Sequence, residues 1–126
     1  MRIAALLWLV VMLSACGEAV KNPIAPQEWD GVVFEVQTRP AVIKGGMIEF
    51  LILATEKSGR PVRNLVISLR MNEADEWRQA IQDGHSGVYR RALNVSPSAT
   101  SLSLNVRRKK TEDEAELFFP LPVVAP

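Results

Sequence analysis

Short segments in which apolar and polar residues alternate, separated by turn residues, dominate the chain after its first thirty positions. The clearest is 101–106, SLSLNV, in which every second residue is apolar. A period of two sends successive side chains to opposite faces of a strand, so this segment predicts a strand with one buried face. Glycine and proline clusters between the segments predict turns.

Seven such segments follow one another over about ninety residues, and no segment after residue 30 has a helical period. The segment 47–55 is apolar on both faces, which predicts a central strand. With 126 residues, the chain has room for one domain. We therefore predict an all-β fold: a single immunoglobulin-like antiparallel β-sandwich of about seven strands after an N-terminal signal helix. The predicted strands are 32–37, 47–55, 65–71, 77–82, 88–93, 101–106 and 114–119.

The N-terminus has the pattern of an export signal. Arg2 precedes an apolar run at 3–13. As a helix, this run would cover about 17 Å, whereas the hydrocarbon core of a bilayer is about 30 Å thick. The run is therefore short for a membrane-spanning anchor and fits the apolar region of a signal peptide.

Leu13-Ser14-Ala15-Cys16-Gly17 follows the apolar run and resembles the lipobox of bacterial lipoproteins. The resemblance implies cleavage between Ala15 and Cys16 and a covalent lipid on Cys16. It also implies a lipid-anchored protein of the cell envelope, and Gly17 resembles the sorting signal for the periplasmic face of an outer membrane in a Gram-negative host. An ordinary signal peptide with a chance cysteine, or an uncleaved short anchor, is the alternative.

These patterns divide the chain into four parts. Residues 1–15 are a lipoprotein signal peptide, and residues 16–29, with Pro23 and Pro26, form a lipidated tether. The sandwich domain occupies 30–122, and 123–126 is a tail. Without Arg2 the basic and acidic side chains are equal in number, so no net charge attracts nucleic acid, and nucleic acid is not an expected partner.

Four short motifs, in order along residues 32–119, resemble the YtkA/FixH-like group of small exported β-sandwich domains. They are Arg39-Pro40 with Lys44-Gly45-Gly46, Ser58-Gly59-Arg60-Pro61-Val62, Leu69-Arg70-Met71, and Gly87-Val88-Tyr89. Members of the group thought to handle copper tend to carry several methionines and a histidine close together. Here Met71 has no methionine beside it, and the acidic segment 72–76 follows.

Met71 and His85, with Met47 as a third candidate, are the residues that could bind Cu(I), because thioether and imidazole groups suit copper. The alternative places Met71 in the core, Met47 in a packing gap, and His85, the single histidine, in a solvated turn. The position of Gly87 before Tyr89 favours a tyrosine hydroxyl bonded to a nearby loop, as in the tyrosine corner of sandwich domains.

Two connections are candidates for contact with a protein partner: 72–77, which ends at Trp77, and 83–87, which contains Asp83 and His85. The basic run 107–110 precedes an acidic one, which predicts either ion pairs across a hairpin or a contact with lipid headgroups. We find no catalytic constellation, phosphate loop or zinc spacing.

The function that these patterns favour is a membrane-tethered, non-enzymatic binding or assembly module of the bacterial cell envelope. Its expected partners are the membrane, through the lipid on Cys16, and an envelope protein. No cofactor is expected beyond the covalent lipid. The alternative is a periplasmic copper-handling accessory protein with Met71 and His85 as ligands.

Overall fold

The computed structural model describes residues 23–124, which fold into nine antiparallel strands in two sheets. The predicted signal peptide, the cleavage site at Ala15 and Cys16, and most of the predicted tether lie outside the described residues. Between residues 23 and 124, no helix is long and apolar enough to cross a membrane. The strands are β1 Gln27–Trp29, β2 Val32–Arg39, β3 Gly46–Glu56, β4 Leu65–Arg70, β5 Arg78–Gln79, β6 Ile81–Gln82, β7 Val88–Val95, β8 Ser101–Arg108 and β9 Glu114–Pro120.

The two sheets have the orders β1-β2-β3-β7-β6 and β5-β4-β8-β9. The order β2-β3-β7-β6 opposite β4-β8-β9 corresponds to the two sheets of a constant-type immunoglobulin domain. Strand β3 lies at the centre of its sheet, between β2 and β7, as its two apolar faces predict. The predicted β-sandwich is therefore confirmed.

The core lies between the sheets and is built from the inward-facing positions of each strand. On β4 and β8, buried residues alternate with more exposed ones as the period of two requires, with the single departure of Ser103, which is buried on the outer face. The largest fully buried side chains are all 2% exposed or less: Tyr89, Phe34, Phe50, Phe119, Ile24, Ile43, Ile48, Ile52, Ile67, Leu69, Leu102 and Leu104.

The predicted fourth strand, 77–82, is divided between the two sheets. Its first half, β5, pairs with β4, and its second half, β6, pairs with β7. The change of sheet occurs at Ala80, whose side chain is buried and whose backbone N–H donates a 2.7 Å hydrogen bond to the carbonyl of Ile67. A strand that changes sheets closes one edge of a sandwich, and both halves are consequently short.

The folded body begins earlier than residue 30. Ile24 is 2% exposed and belongs to the core, and β1 pairs with β2. At the other end of the chain, Val123 forms an isolated bridge with Ile43, and the N–H of Val124 donates to the Ile43 carbonyl at 2.8 Å. Residues assigned from the sequence to the tether and the tail thus pack on the sandwich.

The sandwich has two ends, which we call proximal and distal; the chain enters β1 from the proximal end. The proximal end contains the Arg39 end of β2, the Ile43–Val123 bridge and the Pro120 end of β9. The distal end contains the β1–β2 turn at Asp30, which is held by Arg108. Since β1 runs antiparallel to β2, the chain before Gln27 approaches from the proximal side.

Candidate binding surface on the four-stranded sheet

The three candidate copper ligands are not brought together. Met71 follows β4 at the proximal end and is buried in the core, beside Leu93 near the end of β7. His85 is exposed in the turn that precedes β7, at the distal end. The length of β7 between them is about 15–20 Å. Met47 is 68% exposed at the start of β3.

No group of three or more His, Cys, Asp or Glu side chains suited to hold a metal ion occurs in the part of the chain that the structure describes. Methionine is not among those residue types, so a thioether site is judged by the placement of Met47 and Met71 alone. Met71 occupies a core position, and Met47 projects from a strand end. Their placement agrees with the alternative in which Met71 is a packing residue.

The two candidate partner connections lie at opposite ends of the molecule. Trp77 is at the proximal end, where it contacts Arg70 at the end of β4. Asp83 and His85 are in the distal turn. One compact partner surface therefore cannot be formed by both connections, and each has to be considered with its own neighbours.

Asp83 is held in an ion-pair network on the outer face of the five-stranded sheet. The guanidinium of Arg90 lies 3.0 Å from a carboxylate oxygen of Glu49 and 3.2 Å from one of Asp83. The hydrogen bonds that Arg90 donates to these two carboxylates raise the pKa of Arg90 above its ordinary value, so it stays charged. Arg90 is the register partner of Leu51, which is buried although it faces outward, and the arginine stem is suited to cover it.

The distal hairpin shows where the basic run 107–110 finds partners. Arg108 lies 2.9 Å from the carboxylate of Asp30 and also donates to the Asp30 carbonyl at 2.9 Å. Arg107 and Glu114 are cross-strand partners in the β8–β9 ladder. The ion pair of the basic run is therefore formed with Asp30 in the β1–β2 turn, whereas the sequence predicted pairs across the β8–β9 hairpin.

Trp77 and Arg70 form the most specific side-chain arrangement on the outer face of the four-stranded sheet. The guanidinium carbon of Arg70 lies 4.1 Å from the centre of the Trp77 ring, a cation–π distance. Arg70 also lies 3.8 Å from a carboxylate oxygen of Glu116 and donates to the carbonyl of Glu73 at 3.1 Å. Its Nε is buried and has no hydrogen-bond partner.

A row of side chains extends from this pair across the sheet. Ser103 on β8 is the register partner of Arg70 on one side and of Phe118 on the other. Ser103 is small and buried, whereas Phe118 is 53% exposed. We call Trp77, Arg70, Ser103 and Phe118 the aromatic row.

The aromatic row has the residue types that bind proteins strongly. Tryptophan and arginine are enriched among residues that contribute most to interface energy, and exposed phenylalanine supplies apolar area. Because Arg70 is fixed by Trp77 and Glu116, little side-chain entropy remains to be lost when a partner binds.

Sequence reasoning singled out Trp77 but missed the rest of the row. The alternation in β4, β8 and β9 shows that Arg70, Ser103 and Phe118 face outward. Their alignment depends on the register between strands, and β4 and β8 are more than thirty residues apart in the sequence. That register is not visible in any one segment.

Tyr89 makes the predicted hydrogen bond to a nearby loop. Its hydroxyl donates a buried 2.9 Å hydrogen bond to the carbonyl of Val62. Burial raises the pKa of this phenol above its ordinary value, and a backbone hydrogen bond from Leu65 offsets part of the rise.

No family model matches the chain, and neither a curated protein nor a solved structure matches it. The function is therefore inferred from the residues of this chain alone.

Proposed function

We propose that the protein is a membrane-tethered, non-enzymatic binding or assembly module of the bacterial cell envelope. The lipobox-like sequence that ends at Cys16 supports the tether. The aromatic row supports the binding role. The export sequence would direct the chain out of the cytoplasm before it is removed, and the acyl chains on Cys16 would then hold the sandwich at a membrane surface.

The observation that carries the binding role is the exposed Phe118 beside an arginine that is already stacked on Trp77. A half-exposed phenylalanine has no evident role in the core of this sandwich. The buried Nε of Arg70 has no acceptor, and an unpaired buried donor has a cost. A partner that covers Phe118 and supplies an acceptor oxygen would gain apolar area and satisfy that donor.

Site-specific photo-crosslinking in living cells tests this surface. A photoreactive amino acid at position 118 should give a discrete adduct with an envelope protein. The matched control is position 35, since Glu35 is also exposed in mid-strand but lies on the other sheet. Adducts of equal yield at both positions, or none at 118, would refute the aromatic row as the binding surface.

The distal turn is the second place where a partner could bind, as the sequence predicts for Asp83 and His85. Asp83 is engaged by Arg90, so its carboxylate is less available than that of a free surface residue. A photoreactive residue at position 85 in the same experiment compares the two surfaces directly. An adduct at 85 but not at 118 would move the binding surface to the distal end.

Copper handling stays a prediction, and no contact in the structure favours it. The buried Met71 and the exposed His85 lie at opposite ends of the sandwich. If Met71 and His85 are copper ligands, the joint substitution Met71→Leu and His85→Ala should abolish Cu(I) uptake. Uptake that the joint substitution leaves unchanged would exclude these two residues as ligands. Titration of the protein with Cu(I) against a competing chelator measures this.

A further inference from the structure

Exposed apolar side chains are concentrated at one end of the sandwich. Of the five large hydrophobic residues that are exposed among residues 23–124, four lie in the proximal half. Val42 is 54% exposed and Val124 is 47% exposed. They are close together, because Val124 is hydrogen-bonded to Ile43, the neighbour of Val42. The four residues are Val42, Met47, Phe118 and Val124.

The distal end has the opposite character. Its four connections are 30–31, 57–64, 83–87 and 109–113, and most of their residues are charged or small and polar. The one large apolar residue among them, Val62, is buried, so these connections expose no large apolar side chain. The sandwich is therefore polarised along its long axis, apolar at the proximal end and charged at the distal end.

The charged residues at the proximal β2–β3 connection are all cationic. Between Arg39 and Met47 the chain carries two cations, Arg39 and Lys44, and no acidic residue. Both cations are exposed. The acidic residues of this end are Glu49, which is the register partner of Arg39 and is ion-paired with Arg90, and those of the β4–β5 connection. That connection lies at the edge of the sandwich that is opposite β1 and β9. A cationic and apolar surface is complementary to anionic lipid headgroups over an acyl layer.

Residues 23–26 lead into β1 from this same side. Six residues lie between Cys16 and Pro23, and a fully extended chain from one to the other spans at most about 25 Å. Strand β2, which has eight residues, is itself about 26 Å long. The domain therefore cannot stand away from the bilayer by more than about its own length.

We propose that the proximal end rests on the bilayer to which the protein is tethered. Val42 and Val124 contact the boundary between headgroups and acyl chains, Lys44 and Arg39 lie at the level of the lipid phosphates, and the distal connections point away from the membrane. This inference rests on the proposed lipid anchor at Cys16. The acyl chains provide the affinity, and the proximal surface sets the orientation.

Fluorescence quenching measures this orientation. The full-length lipidated protein is reconstituted into vesicles of phosphatidylethanolamine with a minority of phosphatidylglycerol. A second cysteine is introduced by Val42→Cys, Val124→Cys, Ser58→Cys or His85→Cys and labelled with an environment-sensitive fluorophore. Spin-labelled lipids should quench the labels at 42 and 124 several-fold more than those at 58 and 85. Equal quenching at all four positions, or stronger quenching at the distal pair, would overturn the orientation.

A matched pair of variants separates the proximal surface from the tether. The double substitution Val42→Ser and Lys44→Gln should reduce quenching of the label at 124. The control Ile81→Ser and Lys57→Gln, which also changes one exposed apolar residue and one lysine but away from the proximal end, should not. An equal loss in both variants would contradict the assignment. Flotation with the vesicles tests the anchor separately. Protein that does not float refutes the lipid anchor and this inference with it. Protein that floats but whose proximal labels are quenched no more than its distal labels refutes the orientation alone.

Discussion

The hydroxyl of Tyr89 donates a 2.9 Å hydrogen bond to the carbonyl oxygen of Val62, and this bond links the two sheets. Tyr89 lies on β7 of the five-stranded sheet, and Val62 lies in the connection that leads to β4 of the four-stranded sheet. Gly87 and Ala54 surround the same point, where the N–H of Ala54 donates to the Gly87 carbonyl. The distal end of the core is thus fixed by a small set of buried contacts.

Substitution of Tyr89 by phenylalanine should destabilise the domain by about 1–2 kcal/mol. The change removes the hydroxyl and leaves the buried Val62 carbonyl without this donor, which is the costly half of a lost hydrogen bond. Urea unfolding of residues 23–126 measures the effect. An unchanged midpoint would show that the bond contributes nothing to stability.

The ionisation of Tyr89 should be displaced to alkaline pH in the folded protein. Burial raises the pKa of the phenol, so the folded state holds the proton more tightly than the unfolded chain does. The resulting stabilisation is complete below the unfolded pKa of about 10 and is lost as the pH rises through the folded value. Tyr89 is the only tyrosine, so tyrosinate absorbance reports it alone. A titration midpoint that is the same with and without urea would contradict this prediction.

Substitution of Gly87 by alanine should cost about 2–4 kcal/mol, since it combines strain with a steric clash. Gly87 has a φ of 77°, a left-handed conformation that L side chains rarely adopt. A Cβ at Gly87 would lie 2.8 Å from the Cβ of Pro61 and 2.9 Å from the Ala54 carbonyl oxygen. 

Gly84 in the same turn supplies the control for that substitution. Its φ is 62°, and no atom lies within 4 Å of a Cβ built there. Gly84→Ala should therefore cost only the backbone strain, about 1 kcal/mol. Equal losses in the free energy of unfolding for the two substitutions, measured with urea, would show that the contact with Pro61 adds nothing to the cost of Gly87→Ala.

Substitution of Ile24 by alanine should destabilise the domain by about 2–4 kcal/mol, because it removes a fully buried side chain. The control is Val42→Ala, at an exposed position of the proximal end, which should change the free energy of unfolding by less than about 0.5 kcal/mol. If the two substitutions have equal effects, the folded body does not include residue 24.

Much of the fold follows from local patterns in the sequence. The alternation in 101–106 and the two apolar faces of 47–55 predict β8 and the central position of β3, because burial imposes a period of two. Turn residues bound most of the other strands within about two residues. These are properties of single segments, and they can be read without knowledge of the partner strands.

The remaining features depend on contacts between distant segments. Ile24 lies between Pro23 and Pro26, so its burial is hidden in a segment that reads as a spacer. The division of 77–82 between two sheets depends on what each half pairs with. The aromatic row depends on the register of β8 against both β4 and β9, and no local pattern specifies it.

Comparison of the wild-type protein with Cys16→Ser in bacterial cells tests the central claim most directly. Intact mass and membrane fractionation are measured for both. The account predicts that the wild-type chain begins at Cys16, carries the added mass of acyl chains and is found in the membrane fraction, whereas the variant lacks the acyl chains and keeps its signal peptide. Identical mass, apart from the substituted atom, and identical fractionation of the two proteins would contradict it.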